Sequence, residues 1–311
     1  MIKKPMLASN DAIVVDAKGK AYEQSDWEPI KKMLPMFISN KLDGIRCEAH
    51  PKHGIVSRSF KKIPNTHIRT QLEEECPLNL DGEIITYNAD GTPKDFHEIE
   101  GDVMREGGTP NFIFHVFDNF QDIKAPAVTR YEDAHKIILE TDHPIIETVH
   151  HQLVNTISEI EAFTNKALAN GYEGSMLKHL DGLYKEGRST LKQGWLLKVK
   201  HFLHAEGIII GFEEQMKNTN TKTKDALGHG VRSSHKAGKV PMDTLGKFLL
   251  QTPFGVLKIG SGKGWTKEFR YEVWHNQAKY LGKHVTYQYQ PCGMKNLPRI
   301  ATFHGFRKEF D

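Results

Sequence analysis

One run of residues limits the fold more than any other part of the chain. Phe112–Asp118 has the sequence Phe-Ile-Phe-His-Val-Phe-Asp, a continuous apolar run rich in aromatic side chains. A strand with one solvent-exposed face would alternate apolar and polar residues, so this run predicts a central strand that is buried on both faces. Its aromatic side chains are more typical of a core than of a surface that stacks on a cofactor.

Length and composition set the class of protein. With 311 residues, 38% of them hydrophobic, the chain can bury a full core and is expected to divide into two domains. No stretch approaches about eighteen apolar residues, and Met1–Pro5 lacks the apolar core of a signal peptide, so we expect a cytoplasmic protein with no membrane partner. The 42 basic residues nearly match the 39 acidic ones, and the net charge of +3 permits a polyanionic partner without requiring one. The three cysteines show no paired spacing typical of disulfides or zinc sites.

A lysine lies at the junction of a predicted strand and a predicted turn. The apolar run Met36–Ile38 predicts a short buried strand, and the Asp-Gly pair within Lys41–Arg46 predicts a turn after it. Lys41, at the end of this strand, is either a nucleophile or a solvated loop residue. A lysine with a pKa of about 10.4 is neutral only about one part in a thousand near pH 7.4, so a nucleophile needs cationic neighbours or desolvation.

Two acidic residues share one face of a later strand. The predicted strand at residues 78–87 carries Asp81 and Glu83, and residues two apart on a strand point to the same side. Beside a lysine and two arginines, they form either a structural ion-pair network or the ligands of a divalent cation. The sequence leaves both interpretations open.

Two lysines share one face of another strand. Residues 195–200, Trp-Leu-Leu-Lys-Val-Lys, alternate apolar and basic side chains, which places Lys198 and Lys200 on the same side. Two like charges on one strand face indicate either an anion between them or a solvated edge strand.

The character of the chain changes after Lys200. Short strands and Gly-rich turns dominate, and about five strands within about 110 residues suggest a small closed or partly open β-barrel. Lys217–Val240, between the first two strands, is polar and predicts a flexible loop with one acidic residue, Asp225. Its basic residues are Lys217, Lys222, Lys224, Arg232, Lys236 and Lys239.

Together, these pieces resemble in order and spacing the nucleotidyltransferase motifs of ATP-dependent DNA ligases. The stretches that match are Lys-Leu-Asp-Gly-Ile-Arg at 41–46, Ser-Arg at 57–58, Asp-Gly-Glu at 81–83, Val-Phe-Asp at 116–118, Glu-Gly-x-x-x-Lys at 173–178 and Leu-Lys-Val-Lys at 197–200. The second half resembles the ligase OB domain at Gly207–Gly211, Lys258–Gly262 and Pro298–Arg307. The likeness is greatest to the compact ligases of bacteriophages.

The resemblance implies an α+β fold. It predicts a nucleotidyltransferase (adenylation) domain of antiparallel sheets with flanking helices at residues 1–201, then a small DNA-binding OB-fold β-barrel at 202–311. The implied enzyme seals nicks in duplex DNA during replication, repair or recombination, through a covalent lysyl-AMP and a DNA-adenylate. ATP would be the adenylate donor, Mg²⁺ or Mn²⁺ the metal and nicked double-stranded DNA the partner. We expect a monomer, in the host cytoplasm if the protein is viral.

The resemblance also implies roles at the triphosphate. Lys41 would attack the α-phosphorus of ATP and expel pyrophosphate. Lys198 and Lys200, with a divalent metal, would neutralise the phosphate charge, and these cationic surroundings would lower the pKa of Lys41. Glu83 and Glu173 are the expected metal ligands.

Further implied contacts concern the nucleoside. Phe117 would stack on adenine, and Glu173 would also reach the nucleoside. Arg46 would hold the ribose or the nick end. Asp43 belongs to the expected catalytic set and Lys178 to the expected ATP-binding set.

DNA contacts are expected mainly at phosphates, because a ligase must seal any sequence. Arg58, next to Ser57, is suited to hold the 5′-phosphate of a nick bidentately, and Arg46 would lie at the same end. The 217–240 loop would be disordered in the free protein and would lie along the duplex through Lys222, Lys224 and Arg232. Arg307 is the candidate for the final ligase motif, although Phe-Arg-Lys-Glu at 306–309 departs from the Arg-x-Asp-Lys found in many ligases.

Three other functions share parts of this pattern. RNA ligases and mRNA capping enzymes carry the same lysine motif, and the predicted barrel favours a DNA ligase or a capping enzyme over an RNA ligase. A non-catalytic DNA-binding protein with a degenerate first domain would need only the barrel. The order of the intact motifs argues against it.

Overall fold

The chain divides into two compact units at Lys200 and His201, and the second unit includes His201–Thr223 and Val231–Asp311. A computed structural model describes residues 2–9, 13–15, 27–224, 230–291 and 296–307. The helices of these residues are α1 (Glu28–Lys31), α2 (Thr66–Glu75), α3 (Phe96–Met104), α4 (Ala127–Thr141), α5 (Ile157–Ala169), α6 (Lys267–His275) and α7 (Gln277–Tyr280), with a 3₁₀ turn at Lys236–Gly238. None of them is long and apolar enough to span a membrane.

The strands of the described residues are more numerous than the helices. In chain order they are β1 (Met6–Leu7), β2 (Ile13–Val15), β3 (Met36–Asn40), β4 (Ile45–His50), β5 (Gly54–Ser57), β6 (Leu80–Tyr87), β7 (Asn111–Asn119), β8 (Ile146–Thr148), β9 (Gln152–Val154), β10 (Gly174–His179), β11 (Gly187–Arg188), β12 (Leu197–His201), β13 (Leu203–Asn218), β14 (Lys222–Lys224), β15 (Gly230–Arg232), β16 (Lys239–Thr252), β17 (Gly255–Ile259), β18 (His284–Gln290) and β19 (Arg299–Phe306).

The first unit contains two five-stranded sheets. Sheet I has the strand order β2-β12-β10-β3-β9, and sheet II has the order β5-β4-β6-β7-β8. Most strand pairs are antiparallel, as predicted, but β7 pairs with β8 in parallel and β1 pairs with β11 in parallel. The parallel pair β7–β8 follows from the chain connection, because α4 lies between the two strands and provides the crossover that parallel neighbours need.

Strand β7 is interior but differs from the prediction. It pairs with β6 on one side and β8 on the other, and Phe112, Phe114 and Val116 are buried in the core. His115 and Phe117 on the opposite face are only half-buried. The prediction of burial on both faces was therefore wrong for that face, because Phe117 lines a cavity instead of packing into the core.

Each sheet of the first unit packs helices against one face. The core of sheet II joins Ile84 and Phe114 to Leu72 of α2 and Val103 of α3. The core of sheet I is built from the buried residues Ile30, Met36, Ile38, Val154, Ile160, Leu177, Leu197 and Val199. Helical spacing on the helices and alternation on the strands thus bury one face of each element, as the hydrophobic effect requires.

The second unit is a five-stranded antiparallel sheet with α6 and α7. Its order is β17-β16-β13-β18-β19, and its core includes Phe248, Tyr287 and Phe303. The segment after β17 reaches β19, because Phe303 N–H donates to the Ser261 carbonyl oxygen at 2.8 Å. Among the described residues no continuous pairing of β17 with β19 completes a full barrel, so the sheet matches the partly open form of the predicted barrel.

The segment at 217–240 is a β-hairpin rather than the predicted flexible loop. Strands β13 and β16 continue pairing from Met216–Pro241 to Asn218–Lys239, and β14 pairs with β15 beyond them. Residues 225–229, with Asp225, lie outside the described residues. A ribbon exposed on both faces needs no apolar alternation, so composition gave no strand signal here.

Candidate active site

A cavity lies within the first unit, between sheets I and II. Its walls come from both sheets, so residues far apart in sequence meet across it. The residues that line it are Met6, Ser39, Asn40, Lys41, Leu42, Arg46, Asp81, Glu83, Phe117, Asp118, Val149, His151, Met176, Lys178 and Leu196. Of the residues predicted from sequence, this cavity brings together Lys41, Arg46, Glu83, Phe117 and Lys178.

The end of β3 places Lys41 at this cavity. Its backbone N–H donates to the Gly174 carbonyl oxygen at 3.0 Å, which continues the pairing of β3 with β10 by one residue. The following turn lies against β6, where a Cβ on Gly44 would come within 2.3 Å of the Ile84 carbonyl oxygen. Close approach of two backbones therefore explains the glycine in the Asp-Gly pair.

Glu173 links two of the predicted lysines. Its carboxylate forms ion pairs with the ammonium groups of Lys41 and Lys200, the latter at 2.5 Å. Burial raises the pKa of Glu173, but the two lysines outweigh burial and hold the pKa at about 2. Glu173 is therefore a fully charged carboxylate that lies between two cations at neutral pH.

The same contact corrects one expectation about Lys41. Burial lowers the pKa of the Lys41 ammonium, but the charge and hydrogen bond of Glu173 raise it more, and Glu83 and Asp43 add to the increase. The net pKa of Lys41 is raised, whereas cationic surroundings were expected to lower it. The reason is that the neighbouring carboxylates, above all Glu173, have a larger effect on Lys41 than the neighbouring lysines.

Strand β12 presents the two predicted phosphate-binding lysines. Lys198 and Lys200 lie opposite Met176 and Gly174 of β10, so they share the face of sheet I that carries Met176, a cavity-lining residue. Within the described residues Lys198 has no ion pair, and its pKa is lowered first by burial and then by the charge of Lys200. The strand thus offers beside the cavity a cation that forms no ion pair within the described residues, although the charge of Glu173 acts on it.

Arg46 is held by partners that the motif did not reveal. Its Nε and Nη2 each donate to Asp81 at 2.5 Å, and Nη2 also donates to the Met6 carbonyl oxygen at 3.0 Å. The guanidinium lies over the ring of Phe117, 4.6 Å from the centroid. Asp81 also accepts from the Tyr184 hydroxyl at 2.6 Å. Asp81 thus belongs to an ion-pair network that fixes the position of Arg46.

Glu83 has a different environment from Asp81, although both lie on β6. Burial raises the pKa of Glu83 to about 7, against the opposing charges of Arg46 and Lys41, and the Gly44 N–H donates to its carboxylate. No group of three or more His, Cys, Asp or Glu side chains in the described ranges could hold a metal ion alone. Glu83 and Glu173 could serve a magnesium ion that also binds substrate phosphates, since Mg²⁺ in such sites takes only one or two carboxylates.

A second buried network includes the cavity-lining residues Lys178 and Asp118. Lys178 donates to Asp118 at 3.0 Å and to the Phe117 carbonyl oxygen at 2.7 Å. Arg130 of α4 binds Asp118 through two nitrogens, at 2.8 and 3.2 Å. Burial raises the pKa of Asp118, but Lys178 and Arg130 outweigh it and hold the pKa at about 2. The ammonium of Lys178 is therefore fixed at the cavity wall.

The predicted DNA-binding residues other than Arg46 do not line this cavity. Ser57 is buried at the end of β5, and Arg58 is exposed in the turn that follows. Lys222, Lys224 and Arg232 are exposed on β14 and β15. Arg307, in the second unit, forms an ion pair with Glu206 at 2.9 Å. Asp43 is near enough to raise the pKa of Lys41, although it does not line the cavity.

Sequence reasoning missed several residues at this site. Asp118 was visible as the last residue of the Val-Phe-Asp motif, but no role was assigned to it. Arg130, Tyr184 and His151 carried no local signal, because each lies outside the motifs. The fold brings Arg130 and Tyr184 into contact with the cavity-lining carboxylates Asp118 and Asp81, and it places His151 in the lining itself.

Comparison with known proteins decides the family of the chain. The ATP dependent DNA ligase domain matches residues 20–200, more than half of the chain. The chain belongs to this family. Several curated DNA ligases are relatives of this ligase-family chain. A probable DNA ligase of Streptomyces coelicolor is 28% identical to it over 248 residues, which are 74% of this chain and 45% of that protein. A probable DNA ligase of Anaeromyxobacter dehalogenans is 31% identical over 186 residues, which are 56% of this chain and 36% of that protein. This ligase-family chain thus spans less than half of each of these relatives.

Solved structures support the fold along nearly the whole of this ligase-family chain. The DNA ligase-adenylate of Chlorella virus has a TM-score of 0.53 and 28% identity, and the match covers all of both chains. A Lig E DNA ligase has a TM-score of 0.68 at 20% identity and covers 99% of this chain and all of its own. The predicted α+β fold, with a ligase nucleotidyltransferase domain followed by an OB-fold domain, is confirmed.

Proposed function

We propose that the protein is an ATP-dependent DNA ligase that seals nicks in duplex DNA, with Lys41 as the nucleophile. The observation that carries this proposal is the position of Lys41 at the wall of the cavity, with Glu173, Lys198 and Lys200 beside it. Family membership and the full-length likeness to a Chlorella virus ligase-adenylate support the same reaction. In it, the Lys41 amine bonds to the α-phosphorus of ATP and pyrophosphate leaves.

The resting ion pair sets a requirement for the first step. Lys41 bears a proton in the structure, because Glu173 raises its pKa, and an ammonium group has no lone pair for attack. Glu173, with a pKa held at about 2, stabilises the ammonium and is a poor proton acceptor. Glu83, which also acts on Lys41 and has a pKa of about 7, is the carboxylate that could accept this proton. Lys198 and Lys200 would then face the negative charge that grows on the α-phosphate, as fixed cations at a phosphoryl transfer do.

We propose Glu83 and Glu173 as the carboxylates that would hold a magnesium or manganese ion with the triphosphate. Such an ion would supply charge neutralisation and template the phosphates. Phe117 offers an aromatic ring in the cavity, and Arg46 covers part of it, so we propose that this wall holds the nucleoside. Asp43 completes the proposed catalytic set.

DNA binding is proposed for the exposed basic residues. Arg58 projects from the turn after β5, and the tip of the β13–β16 hairpin carries Lys222, Lys224 and Arg232 on two exposed strands. A phosphate backbone attracts such groups whatever the base sequence. We propose residues 1–201 as the adenylation domain and 202–311 as the OB domain, with Arg307 in the final motif. A monomeric state and a cytoplasmic location stay predictions.

The decisive experiment follows the nucleotide on the protein. The purified chain is incubated with ATP and MgCl₂ and measured by intact-mass spectrometry, and a gain of one AMP on Lys41 is expected. Lys41→Arg keeps the charge but not a deprotonatable amine, so it should form no adenylate, while the control Lys192→Arg, outside the cavity lining, should form it normally. Adenylate on Lys41→Arg at the wild-type rate would overturn the assignment.

Two further substrates separate the alternatives. Labelling by GTP instead of ATP would indicate a capping enzyme, and sealing of nicked RNA duplex but not nicked DNA would indicate an RNA ligase. A Lys41→Arg protein that retained every activity would indicate a non-catalytic DNA-binding protein.

A further inference from the structure

The cavity wall beside Lys178 contains a histidine to which no motif pointed. His151 lines the cavity and is only 7% exposed. Its Nδ1 lies 2.9 Å from the Val149 carbonyl oxygen. A carbonyl oxygen only accepts hydrogen bonds, so Nδ1 carries the proton that is shared with Val149. The Val149 N–H in turn donates to the Val116 carbonyl oxygen of β7 at 2.7 Å, which anchors this segment to sheet II.

The imidazole is neutral and its orientation is fixed. Burial and, to a smaller extent, the charge of Lys178 lower the pKa of His151 to about 3. The ring packs against Tyr131, 4.4 Å between centroids, and against Phe37 at 5.7 Å. A neutral ring that holds its proton on Nδ1 has a bare lone pair on Nε2. The described residues provide no donor to that Nε2.

A hydrogen-bond donor lines the same cavity. The Lys178 ammonium has three N–H groups, and it directs one to Phe117 and one to Asp118. Lys178 also lines the cavity and is close enough to affect the pKa of His151. The cavity lining therefore includes one acceptor, Nε2 of His151, and one cationic donor, Lys178, whose charge acts on that imidazole.

We propose that His151 is a specificity-determining residue that accepts a hydrogen bond from the 6-amino group of the ATP base. This inference rests on the proposed function, because it concerns which nucleotide the Lys41 reaction uses. Adenine presents an N–H donor at its 6-position, whereas guanine presents a carbonyl oxygen. With guanine, the lone pair of the 6-carbonyl oxygen would face the lone pair of His151 Nε2 in the cavity. A site built to hydrogen-bond one group strongly disfavours an analogue that lacks it.

The test compares nucleotides that differ at the 6-position of the base; the purine analogue differs from ATP there alone, whereas GTP also carries a 2-amino group and an N1–H. Formation of the Lys41 nucleotide is followed by intact mass with ATP, with purine riboside 5′-triphosphate, which lacks the 6-amino group, and with GTP. We expect the wild-type chain to prefer ATP over the purine analogue by about tenfold in kcat/KM, the value of one hydrogen bond. His151→Phe keeps the ring packing against Tyr131 and removes the acceptor, so the ratio should fall to about one.

Two further variants keep the test independent of folding. His151→Gln offers an amide oxygen in place of Nε2 and should retain most of the preference for ATP. His150→Phe changes the adjacent exposed residue and should leave the ratio unchanged. A general packing role for His151 would reduce the rates with both nucleotides and leave their ratio unchanged.

The outcomes separate the inference from the proposed function. A wild-type chain that takes no AMP from ATP refutes the proposed function. A wild-type chain that forms the Lys41 adenylate but uses the purine analogue equally well refutes the role of His151 alone. An unchanged ratio in a folded His151→Phe protein does the same.

Discussion

The charge on Glu173 keeps Lys41 protonated, and Glu173→Gln should reverse that effect. In the structure two opposed influences act on the pKa of Lys41: burial lowers it, and the ion pair with Glu173 raises it more. Glutamine keeps the size of the side chain and removes the charge. Burial then acts with only the weaker opposition of Glu83 and Asp43, so the pKa of Lys41 should fall.

The size of the change follows from the contact. An opposite charge within about 4–6 Å shifts a pKa by about 1–3 units, and Glu173 is in direct contact with Lys41. Below its pKa, the neutral fraction of an amine rises about tenfold for each unit of decrease. At pH 8 the neutral Lys41 amine should therefore be about 10–1,000 times more abundant in Glu173→Gln than in the wild-type chain.

Trace labelling with acetic anhydride measures this change without relying on catalysis. Labelling of Lys41 is followed by peptide mass spectrometry from about pH 7 to 11, a range that brackets the ordinary lysine pKa, with Lys192 as the internal reference. The Lys41 profile should move to lower pH in Glu173→Gln, and by less in the matched variant Glu83→Gln, because Glu83 has the smaller effect on Lys41. An unmoved profile, or a shift to higher pH, would refute the assignment of the raised pKa to Glu173.

Three other predictions concern separate parts of the molecule. Lys198→Ala should slow adenylylation about a hundredfold or more, whereas the control Lys192→Ala should not; equal small effects in rate assays would show that Lys198 is a solvated charge. Asp118 has a folded pKa held near 2, below its usual value, so its contribution of about 2–3 kcal/mol is present above about pH 4 and is lost as the pH falls through about 2. Urea unfolding at about pH 5 and about pH 3 should show the onset of this loss, and it should be absent in Asp118→Asn. A variant with serines in the hairpin should bind nicked duplex DNA less tightly and should still form the Lys41 adenylate. The slope of log affinity against log salt concentration should become flatter by about 0.9 for each phosphate that the variant no longer neutralises. An unchanged slope in a binding titration would exclude the hairpin as a DNA-binding element. Its substitutions are at Lys222, Lys224, Arg232 and Lys236.

Local spacing accounts for what could be predicted about individual strands. Residues two apart on a strand share a face whatever the rest of the fold does, so the pairing of Lys198 with Lys200 and of Asp81 with Glu83 followed from sequence. The placement of Lys41 after β3 and before an Asp-Gly turn was equally local. The order of the motifs along the chain also predicted the family.

Local spacing misled in two places. The run at Phe112–Asp118 looked buried on both faces, yet the face that carries Phe117 is only half-buried, and Phe117 lines the cavity between the two sheets. The basic segment after Lys217 looked like a loop, yet its backbone pairs as a ribbon. Strand pairing depends on a partner strand, and in this hairpin Asn218 pairs with Lys239, which lies well beyond the reach of local patterns.

The sequence by itself determined which chemical groups form the site and their order along the chain. Each motif fixes its residue types, and their spacing fixes which of them share a face of a strand. Tertiary structure alone decided the charge state of Lys41, since the carboxylate that sets it comes from Glu173 at the start of another strand. It likewise decided that Asp81 holds Arg46 and that His151 lines the cavity beside Lys178. The physical reason is that burial and Coulomb interactions depend on distances in space, and residues far apart along the chain acquire those distances only when their strands pair into sheets I and II.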